Sequence, residues 1–119
     1  MTKQGRINRG SIWNVELTKT PSDTVGHEQG LTRPCLIIGN YTKANMCTII
    51  PLTSNLDANK LPYTYLLERR YNKGLNTDSV ALIFQIRSLS HKRFITFRGE
   101  IDRKDLDRIL ELLKQYLKL

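Results

Sequence analysis

Acidic residues are scarce in this sequence: 11 Asp and Glu stand against 19 Lys and Arg, a formal net charge of +8. The imbalance favours polyanionic partners, nucleic acid above all, through phosphate contacts and counterion release, although charge of this sign also serves solubility. Cysteine is rarer still. Cys35 and Cys47 each sit inside an apolar run at a separation that matches no zinc-ligand pattern, so buried, reduced thiols are expected. His27 and His91 are too isolated to form a metal site. No apolar run approaches the roughly 20 residues that cross a bilayer, and the start of the chain lacks the apolar core of a signal peptide, so a cytoplasmic protein without a membrane partner is expected. There is no internal repeat, low-complexity tract, Walker loop, dinucleotide fingerprint or HExxH. At 119 residues the chain is expected to be one domain over 1–119, long enough to bury a core without disulfides or metal.

What is present reads as short strands followed by one helix. Residues 1–9, with Lys3, Arg6 and Arg9 and no acid, read as a flexible basic arm. Ser11 to Leu17 alternates, with Trp13, Val15 and Leu17 on one face, which predicts a strand. Nothing periodic appears from Thr18 to Thr32, a connection of the length used by binding loops and lids. Cys35 to Ile38 and Met46 to Leu52 are nearly continuous apolar runs, as strands buried on both faces require, with a break expected at Gly39-Asn40. A polar loop over 56–61 precedes an edge strand over 62–67, which carries Pro62. Ser79 to Arg87 reads as one buried strand that presents Gln85 and Arg87 on one side. From Arg87 through Arg98 the basic residues Arg87, Lys92, Arg93 and Arg98 run without an acid, which marks a candidate anion-binding surface or, more plainly, a solvated face. Phe94 to Ile101 is a last strand. Asp102 caps a helix whose Leu106, Ile109, Leu110, Leu113 and Leu117 share a face that packs on the sheet. The fold class expected is mainly β: a small, strongly curved antiparallel barrel with a C-terminal amphipathic helix.

The chemistry concentrates where a loop enters the second strand. His27-Glu28-Gln29-Gly30 brings two proton carriers and a glycine, and Arg33-Pro34 follows at once. A guanidinium is planar, permanently charged and forked, which suits a phosphate held at the mouth of a rigid strand. A solvated arginine with Glu28 as its counter-ion is the plainer alternative, and position alone leaves both open. Thr53, Ser54 and Asn55 likewise suit a ligand or the backbone of their own turn.

Four segments in order, Arg9-Gly10-Ser11-Ile12-Trp13, Glu28-Gln29-Gly30 with Arg33-Pro34, Pro51-Leu52-Thr53-Ser54-Asn55, and Asp78-Ser79-Val80 with Gln85-Ile86-Arg87, resemble the MazF/PemK toxins of bacterial toxin–antitoxin systems over nearly the whole chain. The resemblance implies an SH3-like barrel that forms a homodimer and cuts single-stranded RNA without metal or other cofactor. It implies that Arg33 and Thr53 are the catalytic pair, that Glu28, Gln29 and Gly30 belong to a loop closing over RNA, and that Gln85 and Arg87 lie near the substrate groove. Ser54 and Asn55, beside Thr53, are candidate RNA contacts with them. Glu28 is the candidate general base, with His27 as the substitute; His27 stands where the family commonly has serine, and the loop before it is long. A cognate antitoxin whose disordered acidic segment folds into the groove is the partner the family implies. Two other classes compete: a non-catalytic nucleic-acid-binding barrel, and a gyrase-poisoning toxin like CcdB, which acts through the end of its terminal helix. That helix here ends in Gln115-Tyr116-Leu117-Lys118-Leu119, without the tryptophan often found there.

Overall fold

The computed structural model describes residues 7–18 and 31–119. Period-two alternation produces β1 (Ser11–Glu16). Its Ile12 faces one hydrophobic core, while Trp13 and Val15, with Leu17 beyond the strand end, face a second. The continuous apolar runs become β2 (Thr32–Tyr41) and β3 (Met46–Thr53), whose successive residues enter opposite cores. Leu36, Ile38, Ile50 and Leu52 point to the first core, and Cys35, Ile37, Cys47 and Ile49 to the second. Burial on both faces is the reason these two strands show no polar alternation.

The expected break at Gly39-Asn40 is not there. β2 runs on to Tyr41 and absorbs the irregularity as a register shift, pairing Ile37 with Ile49 but Gly39 with Thr48. Such a bulge bends a strand without ending it. The reversal comes later, at the 3₁₀ turn Thr42–Ala44, where Asn45 takes a left-handed conformation with φ 54°. Asparagine tolerates that region better than most residues.

β4 (Thr64–Leu67) lies at the edge, as its sequence requires, and pairs with β5 (Ser79–Leu82). The single strand expected over 79–87 is instead two strands joined by a corner. β5 pairs with the end of β3 (Leu52 with Ala81, Thr53 with Val80), and β6 (Arg87–Ser90) pairs with its beginning (Ile49 with Arg87, Met46 with Ser90). Both lie antiparallel on the same edge of β3, but the register slips by three residues, and the 3₁₀ turn Ile83–Gln85 houses them. Periodicity could not reveal this, because Ile83 is buried at the corner and continues the apolar run.

β7 (Phe94–Glu100) pairs with β1 across two register shifts and forms the other end of an open antiparallel sheet ordered β4-β5-β3-β2-β1-β7. The bulges add twist, and the two-sided core gives the sheet its barrel-like form. The loop before β5 packs hard against β7: a Cβ on Gly74 would lie 2.3 Å from the Arg98 carbonyl oxygen, so only glycine fits.

The helix α1 (Arg103–Leu117) begins at Asp102, whose side chain accepts from the Lys104 amide, and buries Leu106, Ile109 and Leu113. Full burial of such a side chain contributes about 1.5–3 kcal/mol. A polar clamp fixes its start. Asn72, with no exposed surface, donates Nδ2 to Asp105 Oδ2 at 2.9 Å and to the Glu68 carbonyl at 3.0 Å, while its Oδ1 accepts from the Asp102 amide at 2.8 Å. Tyr65 donates its hydroxyl to the other oxygen of Asp105 at 2.9 Å.

Of the basic arm expected over 1–9, residues 1–6 lie outside the described residues. Ile7 is buried in the second core, its carbonyl accepts from Asn40 Nδ2, and Arg9 donates to the Ile38 carbonyl at 2.7 Å.

Candidate functional site

Arg33 stands near the start of β2, exposed, opposite Val15 of β1. On the side of β3 the outermost β2–β3 pair is Cys35 with Pro51, two residues short of Arg33 on one strand and of Thr53 on the other. The antiparallel strands thus carry the cation and the hydroxyl at the same end of the sheet. Among the described residues no carboxylate pairs with Arg33; the ion pairs there are Lys60–Asp57, Arg70–Glu68, Arg103–Asp107 and Arg108–Glu111. Its charge is therefore not neutralised by a described neighbour.

Thr53 is the buried member of the pair. Its Oγ1 accepts from the Asn55 amide at 3.2 Å, which leaves the hydroxyl proton to donate elsewhere. Asn55 in turn accepts at Oδ1 from the Asp57 amide and caps the 3₁₀ turn Leu56–Lys60, a turn in what reads from sequence as a polar loop. The turn reading and the ligand reading of this segment are therefore compatible. Ser54 is exposed and does not line the cleft described next.

That cleft, about 390 Å³, opens between the Leu56–Lys60 turn and the Ile83–Gln85 corner. Thr53, Asn55 and Gln85 line it together, with Leu61, Leu82 and Phe84 among the apolar walls. Gln85 arrives there by way of the corner and not from a strand end. Phe84 was not singled out from the sequence, because within Val80 to Ile86 it is one apolar residue among many. Only the three-residue slip in register sets it apart.

Arg87 opens β6 opposite Ile49 and is half-buried. It lies near enough to Cys35 for its charge to favour the thiolate, but burial outweighs it and pushes that thiol well above the ordinary range. Burial likewise pushes Cys47 up to about 12. Both sulfurs are free and buried, unsuited to act as nucleophiles.

Two of the remaining basic residues, Arg93 and Arg98, are held by acceptors on or beside β1. Arg93 donates to the carbonyls of Glu16 and Leu17 at 3.2 and 3.0 Å, and Arg98 donates to Asn14 Oδ1 at 3.0 Å. These two arginines tie β7 and its preceding turn to β1.

His27, Glu28, Gln29 and Gly30 lie outside the described residues. The ends of their segment are clamped at the same corner of the sheet: the Leu17 amide donates to the Leu31 carbonyl at 2.7 Å, and the Leu31 amide to Thr18 Oγ1 at 2.8 Å. The segment thus departs and returns two residues from Arg33. Among the described residues no three His, Cys, Asp or Glu side chains are grouped so as to hold a metal ion, and no helix is long and apolar enough to cross a membrane.

Comparison with known proteins joins these features to a family. The chain is 31% identical over 122 residues to the endoribonuclease MazF9 of Mycobacterium tuberculosis, covering 95% of this chain and 98% of that protein. Its fold superposes on a crystal structure of MazF from Deinococcus radiodurans with a TM-score of 0.75 at 23% identity, over 94% of this chain and 96% of that one. A mycobacterial endoribonuclease solved in complex with its cognate antitoxin superposes with a TM-score of 0.67 at 16% identity, over 94% and 95% of the two chains. The family model for the PemK-like, MazF-like toxins of type II toxin–antitoxin systems matches residues 8–117, and the chain belongs to that family.

Proposed function

We propose that this member of a toxin endoribonuclease family cuts single-stranded RNA at selected sequences, without a metal ion, leaving a 2′,3′-cyclic phosphate and a 5′-OH. The observation that supports the reading is that antiparallel β2 and β3 put Arg33 and Thr53 at the same end of the sheet, each two residues beyond the Cys35–Pro51 pair, beside the bonds that join Leu31 to Leu17 and Thr18. RNA brings its own nucleophile. The 2′-oxygen attacks the adjacent phosphorus as its proton passes to a base, and the bond to the 5′-oxygen breaks as that oxygen takes up a proton. The enzyme has to align the two centres, offset the growing negative charge and supply the proton carriers. Arg33 suits the charge: its fork holds two non-bridging oxygens, and Thr53 Oγ1 adds a hydrogen bond. A guanidinium with a pKa above about 12 is a poor acid, so electrostatic stabilisation is its first role and proton transfer its second. Glu28 is the base, with His27 as its substitute, and Gln29 and Gly30 cover the bound strand. Arg87 and Gln85 hold the RNA further along, with Asn55 and Ser54 flanking Thr53.

The protein works in the cytoplasm as a homodimer, and translation stops because messages are cut. A cognate antitoxin restrains it by laying a disordered acidic segment into the basic groove. The mycobacterial neighbour solved with its antitoxin supports this reading. The test is single-turnover cleavage of a fluorescent oligoribonucleotide and of the same oligonucleotide with 2′-deoxyribose at the cut position. Cleavage of both would refute attack by the 2′-OH, and cleavage of neither would favour a barrel that only binds nucleic acid.

A further inference from the structure

We infer that the cleft beside Thr53 is a pocket for one unpaired nucleobase, in which Phe84 supplies the stacking face and Asn55 the hydrogen-bond donor that reads the base edge. The inference rests on the reading of the chain as an RNA-directed enzyme and adds the residues that select its substrate. Three observations carry it.

The first is the chemistry of the walls. Ala58, Leu61, Leu82 and Phe84 give the cleft an apolar wall, and the charges of Asp57 and Lys60, which also line it, are paired with each other at 3.8 Å, a lining that suits the flat face of a base. Single-stranded RNA offers such faces, and stacking on an aromatic ring is the common way proteins hold them. The second is the orientation of Asn55. Its Oδ1 is occupied by the Asp57 amide at 3.2 Å, which fixes the amide and leaves both Nδ2 protons to donate; among the described residues nothing accepts them. A base edge with a carbonyl oxygen or a bare ring nitrogen is the match for a paired donor. The third is rigidity. The Phe84 corner is closed by the bond from the Ile86 amide to the Ile83 carbonyl at 3.1 Å, and Tyr116 of α1 donates its hydroxyl to the Phe84 carbonyl at 3.3 Å. The stacking face is therefore held on a fixed part of the fold. Because Thr53 lines the same cleft, the base held there belongs to a nucleotide close to the proposed catalytic threonine.

The experiment separates the pocket from the nuclease. A randomised pool of 2′-fluoro oligoribonucleotides, which lack the attacking hydroxyl, is selected for binding to the wild-type protein, to Asn55→Asp and to Phe84→Leu. Aspartate caps as well as asparagine but turns the donor into an acceptor. The preference at one position is expected to move toward bases that present an amino group, with the other positions unchanged. Phe84→Leu is expected to weaken binding about tenfold, and Phe84→Tyr to restore it. That loss should vanish on an oligonucleotide made abasic at the same position. An equal loss on intact and abasic RNA, or an unaltered preference in Asn55→Asp, overturns the pocket. Pocket-dependent binding by a protein that cuts no native RNA would uphold the pocket and refute the nuclease.

Discussion

Replacing Asn72 with alanine should cost more stability than any single substitution at the exposed positions of the proposed site. The side chain has no exposed surface and serves three partners: the Asp105 carboxylate, the Glu68 carbonyl and the Asp102 amide. A hydrogen bond to a charged group contributes about 1.5–3 kcal/mol and each neutral one about 1 kcal/mol, so the sum is about 3.5–5 kcal/mol. Some is recovered if water enters, which brings the expectation to about 3 kcal/mol. The assay is urea unfolding followed by circular dichroism, with Tyr65→Phe and the double variant completing a cycle. Because both side chains bond the same carboxylate, their effects should not add, and a coupling of about 0.5–3 kcal/mol is expected. A loss below about 1 kcal/mol, or strict additivity, would refute the idea that Asp105 is shared by a cooperative clamp. The variant also bears on function, since α1 reaches the Phe84 carbonyl through Tyr116. Anchoring of the helix start and fidelity of cutting should weaken together.

Arg33→Ala should lower single-turnover RNA cleavage at least about a hundredfold, the usual cost of one preorganised donor, and Arg33→Lys should recover little because a point charge cannot replace the fork. Addition of EDTA should leave the cleavage rate intact; loss restored by magnesium would demand a different mechanism. Gly74→Ala should lower the melting temperature sharply, since the added Cβ meets the Arg98 carbonyl oxygen at 2.3 Å, and an unchanged thermal scan would show that β7 yields. The Cys47 thiol, pushed up to about 12 from an ordinary 9.0, keeps its proton when the unfolded chain has lost it. Its contribution to stability is complete below about pH 9 and falls as pH rises toward 12, so Cys47→Ala should flatten the alkaline limb of a stability–pH curve.

Much of this architecture was legible in the residues, because burial writes itself as period. The β1 alternation, the two-sided runs of β2 and β3 and the stripe of α1 follow from which faces meet a core. What the sequence concealed were departures that leave the period intact. A bulge at Ile38, just before Gly39, stands where a break is expected, since a glycine beside a kink and one at a strand end read alike. The corner at Ile83–Gln85 is hidden inside an apolar run. Arg93 and Arg98 read as free charges, yet their partners are acceptors on or beside a strand about eighty positions earlier, beyond any local pattern. The candidate site divides similarly. Thr53, Asn55 and Gln85 share a cleft, and Arg33 stands at the same end of the sheet as Thr53, while Glu28, Gln29 and Gly30 fall in the segment outside the described residues.

The corner between β5 and β6 makes one edge of β3 a shared rail with two carriages on it. Each has its own register, and the four residues from Ile83 to Ile86 couple the two ladders through a corner. Arg33 sits across the other edge of the same strand. The corner that lines the cleft and the arginine at the strand mouth therefore lie on opposite sides of β3, so a change at one does not pass through the hydrogen bonds that hold the other.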